Sequence, residues 1–89
     1  MEQSSLKVDG NAIGGLLREI FTMEMTAAET TCAGCGKVHA VGRVDVYMNA
    51  PGAVMRCPAC GNVLMRIVQG RGRYWLDLTG VRCLEFTAG

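Results

Sequence analysis

Two cysteine motifs dominate this 89-residue chain: Cys32-Ala33-Gly34-Cys35-Gly36 and Cys57-Pro58-Ala59-Cys60-Gly61. Two residues between the cysteines allow one tight turn to direct both sulfurs at the same ion, and Zn²⁺ takes four such ligands in a tetrahedron. A glycine follows each second cysteine, where the turn often requires a positive φ that glycine adopts without steric cost. We therefore expect Cys32, Cys35, Cys57 and Cys60 to bind one structural Zn²⁺ ion.

Other uses of the cysteines stay open. A single Cys-x-x-Cys pair also occurs in redox proteins, and cysteines can be buried or disulfide-bonded. Rubredoxin-like iron sites share these knuckles, but those proteins are typically acidic and rich in aromatic residues. This chain has a formal net charge of +1 and 6% aromatic residues. The repeated motif therefore favours structural zinc, with a rubredoxin-like electron carrier as an alternative.

The length of the chain also points to a metal. A domain of 89 residues has a thin core and usually needs an additional cross-link. Structural zinc supplies roughly 10–16 kcal/mol of apparent binding free energy, whereas a typical domain has a net stability of about 5–15 kcal/mol. We expect residues 9–89 to form a single zinc-ribbon domain that is largely unfolded in its ribbon half without metal, and residues 1–8 to form a flexible tail.

The composition suggests where the protein works. The N-terminus has no secretion-signal pattern, and no apolar run approaches the roughly 18 residues of a membrane span. Five cysteines with knuckle spacing indicate a reducing cytoplasm, and the fifth, Cys83, is interpreted as a small buried apolar residue. Hydrophobic residues make up 49% of the chain, which suggests that an oligomer or a protein partner covers some apolar surface.

An amphipathic helix is predicted near the N-terminus. Asp9 or Asn11 can cap a helix that runs to about Met23. Its apolar residues recur at helical spacing on one wide face: Ile13, Leu16, Leu17, Ile20 and Phe21. We expect this face to dock on the sheet of the ribbon, and it is also a candidate interaction helix for dimerisation or for a partner groove.

The rest of the chain alternates as strands do. An extended segment is predicted over residues 37–49, and strands over 63–68 and 73–78. Turns are predicted at Ala50-Pro51-Gly52 and 69–72, and a short strand or helical turn over 81–86. These elements predict a small α+β zinc ribbon, with a three- or four-stranded antiparallel sheet and one N-terminal helix.

The C-terminal hairpin combines positive charge with an aromatic ring. The residues concerned are Arg66, Arg71, Arg73 and Trp75. Hairpins of zinc ribbons can bind nucleic acid through phosphate contacts and base stacking. Asp77 shares the face of Trp75, and the basic excess is small. Nucleic-acid binding through this hairpin is therefore an alternative function.

Catalytic patterns are absent from the sequence. It contains no paired acids, Ser/His/Asp set or phosphate-cradling loop, and a four-cysteine zinc site has no open coordination position. The one histidine, His39, is assigned a structural role. We expect no enzyme and no small-molecule substrate, and the leading hypothesis is a non-enzymatic module for protein interaction or self-association.

The chain resembles an uncharacterised family of small bacterial zinc-ribbon proteins. The resemblance lies in the segment from Asp9 to Phe21, in both knuckles and in Trp75-Leu76-Asp77-Leu78-Thr79-Gly80, and it implies a zinc site without a particular activity. A looser similarity to the zinc domain of hydrogenase-maturation nickel chaperones implies metal delivery as a further alternative. Those proteins place a nickel-binding histidine directly after the initiator methionine, where this chain has Glu2.

Overall fold

A computed structural model describes residues 6–49 and 52–87 of the chain. The described residues form eight strands, one α-helix and two 3₁₀ segments. The strands are β1 (Leu6–Asp9), β2 (Glu29–Cys32), β3 (Val38–Ala40), β4 (Asp45–Asn49), β5 (Gly52–Arg56), β6 (Val63–Gly70), β7 (Arg73–Asp77) and β8 (Val81–Glu85). Helix α1 is Gly14–Phe21, and the 3₁₀ segments are Gly10–Ile13 and Val41–Arg43.

These strands form two antiparallel sheets. The larger sheet has five strands in the order β1-β4-β5-β6-β7, and the smaller has three in the order β3-β2-β8. The α+β class is as predicted, but the prediction of one three- or four-stranded sheet is wrong. The chain leaves the larger sheet after β7, and β8 pairs with β2 instead of adding to β7.

Gly80 explains this change of sheet. A Cβ atom at Gly80 would lie 1.7 Å from the carbonyl oxygen of Val63, so the turn after β7 rests directly on the start of β6. The backbone N–H of Ala33 donates to the carbonyl of Gly80 at 2.9 Å. The close approach therefore directs the chain towards the first knuckle and into the smaller sheet.

The core lies on one face of the larger sheet. In the cross-strand register Val46 is opposite Met55, and Ala53 is opposite Ile67. All four are at most 3% exposed. We call the opposite side of this sheet the outer face; because side chains alternate along strands, its central residues are Tyr47, Val54, Arg66, Val68 and Trp75.

Helix α1 packs its apolar side on this core. Ile13 and Leu17 are 5% and 1% exposed and belong to the buried cluster. Leu16, Ile20 and Phe21 are partly buried against the same cluster. The face predicted as an interaction helix is therefore largely occupied by the protein's own core, as its docking on the ribbon sheet requires.

The helix is shorter than the periodicity predicts. The predicted cap Asp9 does accept a hydrogen bond from the Ala12 N–H at 3.1 Å, but it opens the 3₁₀ segment and not the α-helix. At the other end Thr22 adopts a left-handed conformation with φ 58°, and its N–H donates to Arg18. This backbone conformation ends α1 before Met23.

Two further expectations are wrong. Residues 6–8, assigned to a flexible tail, lie in β1, because Val8 pairs opposite Val46 and packs partly on the core. Cys83 is exposed and not buried, because β8 is the edge of the smaller sheet and directs Leu84 towards the core instead. Residues 1–5 and the predicted turn residues Ala50 and Pro51 lie outside the described part of the chain.

The length of the helices bears on the expectation that the chain has no membrane span. Among residues 6–49 and 52–87, no helix has the length and apolar character needed to cross a bilayer.

Candidate metal centre

Each cysteine motif forms the turn of a β-hairpin. The first connects β2 to β3 in the smaller sheet, and the second connects β5 to β6 in the larger sheet. The two turns have matching backbone bonds, since Gly36 N–H donates to Cys32 at 2.9 Å and Gly61 N–H to Cys57 at 2.8 Å. A single ion held by both turns would therefore join the two sheets.

The glycines that end these turns adopt the predicted conformation. Gly36 and Gly61 have φ values of 78° and 80°. A residue with a Cβ atom is strained in this region, whereas glycine is not. The glycine after each second cysteine thus allows the backbone to fold back so that both sulfurs of a motif face the same point.

The four sulfur atoms converge on one position. The Sγ atoms of Cys32, Cys35, Cys57 and Cys60 all lie within 4.8 Å of one another. The Cys32–Cys60 and Cys35–Cys57 separations are both 3.7 Å. A tetrahedron with metal–sulfur bonds of about 2.3 Å has edges of roughly 3.8 Å, whereas a disulfide bond is about 2.05 Å long. The cluster fits a four-thiolate metal ion and contains no disulfide.

The two knuckles contribute one buried and one exposed ligand each. Cys32 and Cys57 are each 1% exposed and belong to the hydrophobic core cluster, while Cys35 and Cys60 face solvent. Cys32 ends β2 and Cys57 directly follows β5, whereas the exposed pair lies in the turns. The core therefore supports one side of the cluster, and the other side faces solvent.

Hydrogen bonds divide the charge unequally between two of the sulfurs. Desolvation would raise the pKa of Cys32, but bonds from the backbone N–H groups of Cys35 and Gly34 and from the Asn62 side chain outweigh it and lower this pKa to about 6. At Cys60 the backbone N–H of Asn62 favours the thiolate, but desolvation and the neighbouring thiols outweigh it and raise the pKa to about 11.

Metal binding by cysteines is coupled to their protonation. The Sγ atoms of Cys32 and Cys60 lie 3.7 Å apart. A metal ion binds cysteines as thiolates, so its binding at this cluster would release thiol protons. The donor set of four thiolates suits a structural ion such as Zn²⁺, and it leaves no coordination position for a substrate.

His39 lies outside this group. It is partly buried in β3, opposite Thr30 of β2. Among the described residues, the cluster with metal-binding geometry contains the four cysteines alone.

The residues of the predicted nucleic-acid surface are all exposed. Trp75 is 53% exposed and lies directly opposite Val68, which is 41% exposed. Arg66 and Arg73 lie on the same outer face by strand alternation. Arg71 instead forms the turn between β6 and β7, with φ 52°. The hairpin thus presents an aromatic ring between two arginines on the sheet surface, with a third arginine at its tip.

An open groove lies beside the metal centre. It has a volume of about 450 Å³ and runs from Ala33 and Gly34 of the first knuckle past Asn62 to Arg66 and Asp77. Asp77 accepts a hydrogen bond from the Thr79 hydroxyl and another from the Thr79 N–H at 2.9 Å, and these bonds lower the pKa of Asp77. The carboxylate therefore stays ionised and is held by its own turn.

Asn62 is a further residue of the site that the sequence pattern does not reveal. Its side-chain Nδ2 lies 3.5 Å from the Cys32 Sγ, so it links the second knuckle to a ligand of the first. The available signal was its position directly after Cys60-Gly61, but residue type and spacing alone do not reveal a contact across 30 positions.

The chain was compared with curated proteins, solved structures and protein families. Neither a curated protein nor a solved structure matches it. The model of one family, described as a family of unknown function (DUF6510), matches residues 2–89. This match covers nearly the whole chain together with both cysteine motifs, and the protein therefore belongs to the DUF6510 family.

Proposed function

We propose that the protein is a non-enzymatic zinc-stabilised module that binds a protein partner or a second copy of itself through the outer face of the larger sheet. The observation that carries this proposal is the position of the four-sulfur cluster, which lies where the turns of two different sheets meet. An ion at this position cross-links the fold and has no free coordination site for chemistry. The free thiols suit a reducing cytoplasm.

The outer face supplies the binding surface of this proposal. Val68 and Trp75 form an exposed apolar pair, and Tyr47 and Val54 continue the surface across β4 and β5. Tryptophan is enriched at the centres of protein interfaces, because its large ring buries much area at a small entropic cost. Arg66 and Arg73 border this pair as the polar rim of an interface would.

Metal content and native mass of one untagged preparation test both parts of the proposal. We expect one zinc ion per chain, and a dimer or a stable co-purifying protein. Iron with visible colour would instead favour the electron-carrier alternative. A strictly monomeric protein without a partner would contradict the proposed interaction but not the metal site.

A pair of variants locates the surface. Trp75→Ala should weaken the association about thirty-fold, since truncating a central tryptophan commonly costs about 2 kcal/mol. The matched control is Val38→Thr, because Val38 is also 53% exposed but lies in β3 of the smaller sheet. Equal affinities of the two variants would place the interface elsewhere.

Nucleic-acid binding is the second candidate function, and the exposure of Trp75 between Arg66 and Arg73 favours it. A base can stack on the ring while the guanidinium groups contact phosphates. The test is an electrophoretic shift with single-stranded DNA or RNA at low salt. We expect Trp75→Ala and Arg73→Ala to weaken the shift, and the absence of any shift for the unmodified protein would remove this candidate.

A further inference from the structure

Asn62 occupies the same place in the second knuckle as Lys37 does in the first. The backbone carbonyl of Lys37 accepts from the Cys32 N–H at 3.0 Å, and that of Asn62 accepts from the Cys57 N–H at 2.8 Å. The two residues therefore close their turns through equivalent backbone bonds.

The side chains break this symmetry. Asn62 Nδ2 lies 3.5 Å from the sulfur of Cys32, a ligand of the opposite knuckle. Lys37 is exposed, and within residues 6–49 and 52–87 its side chain makes no hydrogen bond to a cysteine sulfur. One residue thus contacts both hairpins at the centre, whereas its counterpart contacts only its own.

The first knuckle leaves space for this contact. A Cβ atom at Gly34 would lie 3.2 Å from Asn62 Cγ and 3.3 Å from Asn62 Cβ, which is closer than ordinary van der Waals contact. The backbone N–H of Gly34 also donates to the Cys32 sulfur at 3.3 Å. The Cys32 sulfur therefore accepts hydrogen bonds both from its own turn and from the other hairpin.

We propose that Asn62 is a positioning residue of the metal centre, which orients the Cys32 thiolate and lowers its electron donation to the bound ion. This inference depends on the proposed structural metal site. A hydrogen bond to a ligating sulfur withdraws electron density from it, and outer hydrogen-bond partners of this kind commonly contribute about 10–100-fold to metal affinity.

The test compares Asn62→Ala and Asn62→Asp with Lys37→Ala. Zinc affinity is measured by chelator competition, and the cobalt(II)-loaded proteins are examined for the energy of the sulfur-to-cobalt charge-transfer band. We expect both Asn62 variants to lose about 10–100-fold in zinc affinity and to shift this band to lower energy, because a less hydrogen-bonded thiolate donates electrons more readily. Lys37→Ala should change neither quantity.

A second variant perturbs the contact between Asn62 and Cys32 from the first knuckle. Gly34→Ala should displace the Asn62 side chain and shift the band in the same direction while residue 62 remains unchanged. It also provides the measurement if an Asn62 variant fails to fold.

The outcomes separate the two proposals. A wild-type protein that takes up neither zinc nor cobalt would refute the proposed metal site itself. A wild-type protein that binds metal, with Asn62 variants whose band does not move, would overturn the role of Asn62 alone, even if their affinity falls, because a purely structural loss does not alter the electronic character of the sulfur.

Discussion

The sulfur atoms of Cys32 and Cys60 lie 3.7 Å apart although the two residues are 28 positions apart in the chain. Cys32 ends a strand of the smaller sheet, and Cys60 belongs to the hairpin turn of the larger one. Their separation is close to the edge of a four-thiolate tetrahedron, roughly 3.8 Å. A metal ion held by the four sulfurs would therefore join the two sheets, and its removal should separate them.

Removal of the metal should unfold much of the protein. The apparent binding free energy of structural zinc, about 10–16 kcal/mol, is as large as the net stability of a small domain, about 5–15 kcal/mol. We expect a strong chelator to abolish the β-sheet signal in circular dichroism, and re-addition of zinc to restore it. Metal-free protein with an unchanged spectrum would contradict this prediction.

Two serine substitutions separate the ligands from the remaining thiol. Cys35→Ser should lose the metal and the folded spectrum, since Cys35 belongs to the sulfur cluster. Cys83→Ser should retain both, because Cys83 is exposed on β8 and outside that cluster. Metal content and circular dichroism of the two proteins provide the comparison.

Gly80→Ala should destabilise the zinc-loaded protein by roughly 1–3 kcal/mol, as overpacking usually does. The added Cβ would overlap the backbone of Val63 and Leu64, which cannot rotate away as a side chain could. Urea unfolding measures the loss. The matched control is Gly15→Ala in α1, where nothing lies within 4 Å of the new Cβ and a gain of about 0.5–1 kcal/mol is expected. Equal stabilities of the two variants would refute the close approach.

Tyr74 should titrate at a higher pH than a free tyrosine. Its hydroxyl donates to Glu19 of α1 at 3.0 Å, and this bond, with desolvation and the nearby negative charge, raises the pKa of Tyr74 above the ordinary 10.0. The hydrogen bond therefore stabilises the fold fully at pH values below 10.0. This stabilisation is lost as the pH rises through the raised pKa of Tyr74. Ultraviolet titration of the wild-type and Tyr74→Phe proteins identifies the signal of the Tyr74 hydroxyl. In Glu19→Ala the pKa of Tyr74 should be lower than in the wild type.

Arg71→Asn should stabilise the hairpin by roughly 1 kcal/mol, because residues other than glycine, asparagine and aspartate are strained in the left-handed region. Arg71 and Gly72 have φ values of 52° and 74°, as the central residues of a two-residue hairpin turn of type I′ do. Arg73→Asn, on the strand, should give no gain. Thermal unfolding of the zinc-loaded variants measures the two stabilities. A lower stability of Arg71→Asn than of the wild type would contradict the turn assignment.

Local sequence patterns predicted the parts of this fold that depend on nearby residues. The cysteine spacing specifies two turns whose sulfurs point the same way, and the glycines after Cys35 and Cys60 supply the required backbone conformation. The β6–β7 hairpin and the exposure of Trp75 follow from strand alternation around a glycine-containing turn.

The partition into two sheets depends on contacts between distant residues and could not be predicted in this way. Nothing near β8 indicates that it pairs with β2 and not with β7, because this choice depends on Gly80 resting against Val63. The strand at residues 6–9 likewise forms by pairing with β4, where Val8 lies opposite Val46. Asn62 has no local signature either, since its partner sulfur belongs to the other knuckle.

Trp75 is the only tryptophan of the chain, and this residue is 53% exposed on the outer face. Its fluorescence should consequently have a long-wavelength maximum in the folded protein, and unfolding should shift that maximum little. A molecule that covers the outer face would instead exclude water from the ring and move the emission to the blue. The protein thus carries an intrinsic optical reporter for whatever docks on that surface, and a screen of ligands needs no added label.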